Sequence, residues 1–178
     1  MTVPTLTALV DASADQVYGS APTSGVVTTY LYPVAGSAGP YTQTVSVNAS
    51  GNYQAAYGGT LDVRPRDNGY AAYSSAPNRA TYLRFVAPFL RAQLGGSELS
   101  GSAAPRSMVA ITLTDAAGLP HQYWWAFTAP DGSFEPSSSY GGSKLKPGDR
   151  IVAAGAGQTF SMTVMTITAQ ANLANHLV

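Results

Sequence analysis

The chain has 178 residues, with nine Lys plus Arg against nine Asp plus Glu, two His and no Cys. Zero net charge without a basic run excludes the phosphate-neutralising stripe on which nucleic-acid affinity depends, and the lack of Cys excludes disulfides, thiolate nucleophiles and Cys-based zinc sites. Charged residues make up 10% of the chain against roughly 25% in an average soluble domain, while 45% is apolar, so a buried core under a Ser, Thr, Asn, Gln and Tyr surface is expected.

In chain order, residues 1–5 lack the positive and apolar regions of a secretory signal, so either the protein is made without export or a signal has been removed ahead of them. Residues 27–32 and 44–47 mix β-branched and aromatic side chains with alternating polarity and read as strands. Ser50-Gly51-Asn52 is a turn of the hairpin kind, and 81–86 is a further strand. Residues 88–94 admit two readings. Pro88 followed by Leu90, Arg91, Ala92, Gln93 and Leu94 suits a short helix, whereas the match of 88–92 to 4–8 in an internal repeat favours a strand. Strands follow at 125–128 and 162–168, with turns at Asp131-Gly132-Ser133 and Pro147-Gly148-Asp149. The apolar stretches 151–157 and 162–169 fall well short of the roughly 20 residues of a membrane-spanning helix, so no membrane insertion is expected.

The chain repeats itself. Val17-Tyr18-Gly19-Ser20-Ala21 aligns with Leu99-Ser100-Gly101-Ser102-Ala103, and Val27, Thr29, Leu31 with Val109, Ile111, Leu113, at a shift of 82. Ser50-Gly51-Asn52-Tyr53 aligns with Asp131-Gly132-Ser133-Phe134, Tyr57-Gly58-Gly59-Thr60 with Tyr140-Gly141-Gly142-Ser143, and Arg64-Pro65-Arg66-Asp67 with Lys146-Pro147-Gly148-Asp149. At the ends, Pro88 to Ala92 takes the place of Pro4 to Ala8, and Thr81, Leu83, Phe85, Ala87 fall on Thr163, Met165, Ile167, Ala169. Such self-similarity is the mark of a tandem duplication. The expected fold is all-β: two tandem antiparallel sandwiches of seven or so strands each, over 1–87 and 88–169, with 170–178 as a tail.

The early Val/Leu-x-Gly, the Asp131-Gly132-Ser133-Phe134 run and the late Lys146-Pro147-Gly148-Asp149-Arg150-Ile151-Val152 resemble bacterial and phage immunoglobulin-like, prealbumin-like sandwich modules. That resemblance implies a stalk, adhesin or virion module. The first copy departs from the pattern, with Arg66 at the turn glycine's place, and a differently shaped turn is expected there.

Residues able to run a reaction are few. His121 follows Pro120 in an expected loop, His176 sits in the tail, and no Gly-x-Ser-x-Gly elbow accompanies them. Asp67 and Asp149 occupy equivalent turn positions, as carboxylates that cap local backbone donors would. Asp131 and Glu135 flank one turn, and the carboxylates form no calcium-loop spacing. Gly95-Gly96-Ser97 lacks the Lys-Ser/Thr of a phosphate loop. No enzyme activity, cofactor or metal is expected.

Differences between the copies point to binding. Tyr30 and Tyr32 alternate with the inward Val27, Thr29, Leu31 series, where the second copy has Thr112 and Thr114. Tyr123-Trp124-Trp125-Ala126-Phe127 stands where the first copy has Thr42-Gln43-Thr44-Val45-Ser46. Adjacent tryptophans on a strand face opposite ways. If Val45 and Val47 point inward, Trp124 shares their face while Trp125 and Phe127 point outward; the opposite register exchanges them. Trp124, Trp125, Phe127, Tyr30 and Tyr32 are thus the candidate interface residues. The expected function is a phage virion component (decoration, tail or fibre) that self-associates with protein subunits; the alternative is a secreted or cell-surface adhesin or carbohydrate-binding module whose aromatics meet a surface glycan.

Overall fold

In a computed structural model, which describes residues 5–35, 39–76, 79–93, 95, 98–135 and 144–166, the described residues form fourteen strands and no helix. The first seven are β1 (Leu9–Asp11), β2 (Gln16–Ser20), β3 (Val26–Tyr32), β4 (Tyr41–Ser46), β5 (Asn52–Ala56), β6 (Asn68–Ala76) and β7 (Arg79–Val86). They make a three-stranded sheet β1-β2-β5 and a four-stranded sheet β4-β3-β6-β7. The next seven are β8 (Phe89–Ala92), β9 (Leu99–Ser102), β10 (Met108–Thr114), β11 (Pro120–Phe127), β12 (Ser133–Phe134), β13 (Arg150–Gly155) and β14 (Gln158–Thr163). Their sheets, β12-β9-β8 and β11-β10-β13-β14, repeat the same order, and the ladders are antiparallel. The protein is all-β with two duplicated, sandwich-like halves.

The period-two pattern explains why these segments pair as they do. In β3 the residues Val27, Thr29 and Leu31 are fully buried, and in β10 so are Val109, Ile111 and Leu113, while the alternate positions face away. Each half gathers its own apolar cluster, and the two clusters share no residue. Gly19 and Gly101 mark one forced choice. A Cβ at Gly19 would overlap the Thr7 carbonyl oxygen, and one at Gly101 would overlap that of Phe89, so the early glycine of each copy is set by close strand approach.

The late turns are alike where a difference was expected. Arg66 has φ +76° and Gly148 has φ +88°, the same left-handed conformation. Arg66 N–H donates to Ala87 O at 3.2 Å and Gly148 N–H to Val164 O at 2.8 Å. A non-glycine residue costs about 1–2 kcal/mol in this conformation. At Arg66 the guanidinium carbon lies 5.4 Å from the centre of the Phe89 ring, a cation–π contact of about 0.5–1 kcal/mol that offsets part of the strain. That contact reaches from the first half into the second, as does Gln158 Nε2 donating to Val10 O at 2.6 Å.

The repeat arithmetic fails at both ends. In the last strand the structure matches Ala87 with Val164, since Ala87 N–H donates to Asp67 O and Val164 N–H to Asp149 O, a shift of 77. The hairpin is the reason: β6 and β7 have nine and eight residues, whereas β13 and β14 have six each, so five residues are missing from the second copy. In the first strand the shift is 82, because Leu9 pairs with Tyr18 as Arg91 pairs with Ser100. Residues 89–92 form the strand β8. Gly96, Ser97, the Tyr140-Gly141-Gly142-Ser143 block and the tail from Gln170 with His176 lie outside the described residues.

Candidate functional site

β11 is an edge strand whose alternation separates its aromatic residues. Ala126 is buried and Trp124 packs partly buried against the second core. Tyr123, Trp125 and Phe127 point the other way and are 66%, 68% and 71% exposed. Strand geometry spaces such rings about 7 Å apart. Their neighbours are short. Trp125 lies opposite Ala110, which lies opposite Ala154, and Tyr123 lies opposite Thr112, which lies opposite Val152. Phe127 pairs with Met108, itself exposed. The residues paired in these rows are uncharged; Arg150 stands on the same face one row beyond, opposite Thr114, and its guanidinium donates to Ser161 Oγ at 3.4 Å beside Val152.

The corresponding face of the first half holds Tyr30 and Tyr32, joined by two residues that sequence reasoning missed. Tyr30 stacks on Tyr70 with centroids 4.4 Å apart, and Tyr70 lies 6.2 Å from Tyr32 and 6.0 Å from Tyr82. Desolvation, then the Tyr32 hydroxyl, pushes the Tyr70 hydroxyl above its ordinary pKa. The signal lies in the ladder. Tyr30 is opposite Tyr70, and Tyr82 is opposite Ala72 one row along, but that pairing is knowable only once β3, β6 and β7 are known to be neighbours. The structure therefore gathers Trp125 with Phe127 on one half, Tyr30 with Tyr32 on the other, and leaves Trp124 in the second core.

A cleft recurs at one place in both halves, lined from the three-stranded sheet and the end of the facing edge strand. It measures about 550 Å³ in the first half and about 440 Å³ in the second. Their linings correspond: Tyr18 with Ser100, Thr7 with Phe89, Asn52 with Ser133, Tyr53 with Phe134, Gln54 with Glu135, and Ser46 with Phe127. The first is rich in carboxamides and hydroxyls, the second in phenylalanine. In the first, Gln54 Nε2 donates to Gln16 Oε1, Tyr53 OH donates to Thr7 O at 2.8 Å, and Asn48 Oδ1 accepts from Asn52 N–H at 2.9 Å. Asp11 Oδ1 accepts from the Ser13 hydroxyl at 2.6 Å, which holds its carboxyl below the ordinary value.

The other candidates for chemistry are spread apart. His121 is exposed, and it lies within β11 at the irregularity opposite Leu113 and Thr114, not in a loop. Asp131 Oδ1 accepts from Ser133 Oγ at 2.7 Å and Ser133 N–H at 3.0 Å, and these bonds lower its pKa. Asp67 and Asp149 are buried turn residues. Asp67 accepts from Arg64 N–H and Val34 N–H, each at 2.8 Å, and Asp149 from Lys146 N–H at 2.8 Å. Among the described residues no three His, Cys, Asp or Glu side chains come together as metal ligands would.

No family model matches the chain, and no curated protein matches it. Among solved structures, a tetra-tandem repeat in the extending region of a large adhesion protein is 21% identical, over 91% of this chain and 48% of that one, with a TM-score of 0.34. The BSP domain of a biofilm-associated protein is 19% identical, over 94% of this chain and 30% of that one, also with a TM-score of 0.34. The chain thus spans about half and under a third of the lengths of these two structures. At that TM-score the likeness adds no weight to a functional reading.

Proposed function

We propose that the chain is a pair of non-enzymatic, adhesion-type modules of an extracellular or cell-surface protein, dividing at 87/88, and that the second module meets a second copy through its aromatic face. The three-plus-four antiparallel strand order supports an immunoglobulin-like sandwich for each module. The observation that carries the contact is the row Tyr123, Trp125, Phe127, each about two-thirds exposed on one sheet face. Rings this exposed exceed the scattered apolar residues of an ordinary surface.

A second copy suits the apolar rings of that face. Four strands about 4.8 Å apart and about six residues long present a surface near 20 by 20 Å. Two such faces packed together cover on the order of 800 Å² in total, the size of a weak, concentration-dependent contact. The three rows that hold the rings bring no like charges together, and Arg150, exposed one row beyond Tyr123, lies to one side of a contact centred on Trp125, so one copy of the face is compatible with another. A self-associating virion component, the function expected first from the sequence, would use the same face.

Light scattering across a hundredfold concentration range tests the contact. The full chain is expected to pass from monomer to dimer. A Tyr123→Ser/Trp125→Ser variant is expected to stay monomeric with an unchanged melting temperature, since both side chains are exposed. A wild-type monomer throughout, or a dimer that survives both substitutions, refutes it.

A further inference from the structure

We infer that the cleft of the first half binds a neutral saccharide chain, at a site separate from the aromatic face of the second half. The concavity is a property of the fold, because it recurs at equivalent positions in both copies. Gly19 and Gly101 help to shape it, as each lines the cleft of its own half without a side chain. What differs is the lining. Ser100 in the second half shows that Tyr18 is not demanded by the architecture; the Tyr53 hydroxyl is buried and donates to Thr7 O, so Tyr18, Gln16 and Gln54 are the side chains that face a ligand.

The chemistry of that set selects the ligand class. Tyr18 is a half-buried ring on β2, flanked on the same outward face by Gln16 and, from the paired β5, by Gln54. Carboxamides both donate and accept, which suits neighbouring sugar hydroxyls, and an aromatic ring covers the C–H face of a pyranose. No Lys or Arg lines the cleft, which disfavours an anion, and the density of amides and hydroxyls disfavours an apolar guest. Its one carboxylate, Asp11, already accepts from Ser13. A volume of about 550 Å³ falls within the ordinary range of small-ligand sites and holds one or two sugar rings.

Amide-resolved NMR titration of the full chain tests this, with cellohexaose, chitohexaose and maltohexaose as separate probes. At least one is expected to shift residues 16–20 and 52–54 in a saturable way, with a dissociation constant on the order of 0.1–1 mM. Tyr18→Ser and Gln54→Glu each install the residue of the second half, so both fold, and each is expected to weaken binding at least about tenfold. Trp125→Ser is expected to leave binding unchanged, which separates this site from the self-association surface. No saturable shift with any probe up to about 10 mM, shifts confined to residues 123–127, or binding that survives Tyr18→Ser overturns the inference.

Discussion

Replacing Asp67 with Ala removes a charge that touches only its own turn and the neighbouring loop, and it should cost more than breaking the nearby surface ion pair. Asp67 is buried, with Oδ1 accepting from Val34 N–H and Oδ2 from Arg64 N–H, both at 2.8 Å. Each hydrogen bond to a charged group contributes about 1.5–3 kcal/mol. Two such bonds, less the relief of no longer burying a carboxylate, give an expected loss of about 3 kcal/mol. For a unit of this size 1 kcal/mol shifts the melting temperature by roughly 4–8 °C, so a fall of about 12–24 °C follows. The contrast is Asp62, only five residues away. It pairs with Arg64 Nε at 3.0 Å, but both side chains are well exposed, and such pairs are worth about 0–1 kcal/mol. Differential scanning calorimetry of Asp67→Ala and Asp62→Ala compares them directly. The transition of the second half, whose equivalent Asp149 is untouched, serves as an internal reference. A melting temperature for Asp67→Ala within about 2 °C of wild type, or equal losses in the two variants, refutes the assignment of the buried aspartate as the clamp of the turn.

Gly101→Ala is expected to destabilise the second half by at least about 1–3 kcal/mol, because its Cβ meets the Phe89 backbone oxygen and the Phe134 ring. Gly58→Ala, with nothing within 4 Å, should be nearly neutral in the same urea titration. Burial raises the pKa of the Tyr53 and Tyr57 hydroxyls above the ordinary 10.0. The unfolded state therefore ionises first, and the stability they contribute is complete below pH 10 and lost progressively above it. Melting at increasing alkaline pH should show the first half weakening before the second, where Phe134 replaces Tyr53, and Tyr53→Phe should reduce that pH dependence.

Turn chemistry and alternation make much of the fold legible in the residues themselves. The buried positions of β3 and β10 follow from a pattern with period two, and the burial of Asp67 and Asp149 makes sense of a repeated Pro-x-Asp turn. Alternation alone also puts Trp124 and Trp125 on opposite faces. It does not say which face is buried, since that depends on the register of β11 against β10, where Ala126 pairs with Val109. The Arg66 turn departs from expectation for a related reason. Sequence compares residue types, and arginine looks unlike glycine, but the hydrogen bonds closing the turn hold both in the same left-handed conformation.

Composition, periodicity and self-similarity by themselves determined that this protein is all-β, duplicated, and stocked with more aromatic residues than its cores require. Only the tertiary structure decided where the copies end in register, because a hairpin can shorten by pairs of residues, and by one more at a bulge such as that between Ser74 and Ala76, without disturbing alternation elsewhere. It alone placed Tyr70 and Tyr82 beside Tyr30 and Tyr32, set Tyr123, Trp125 and Phe127 in one exposed row, and opened equivalent clefts with unlike linings. Each of these depends on contacts between segments distant in the chain, which pack by shape and register that local residue preferences do not encode.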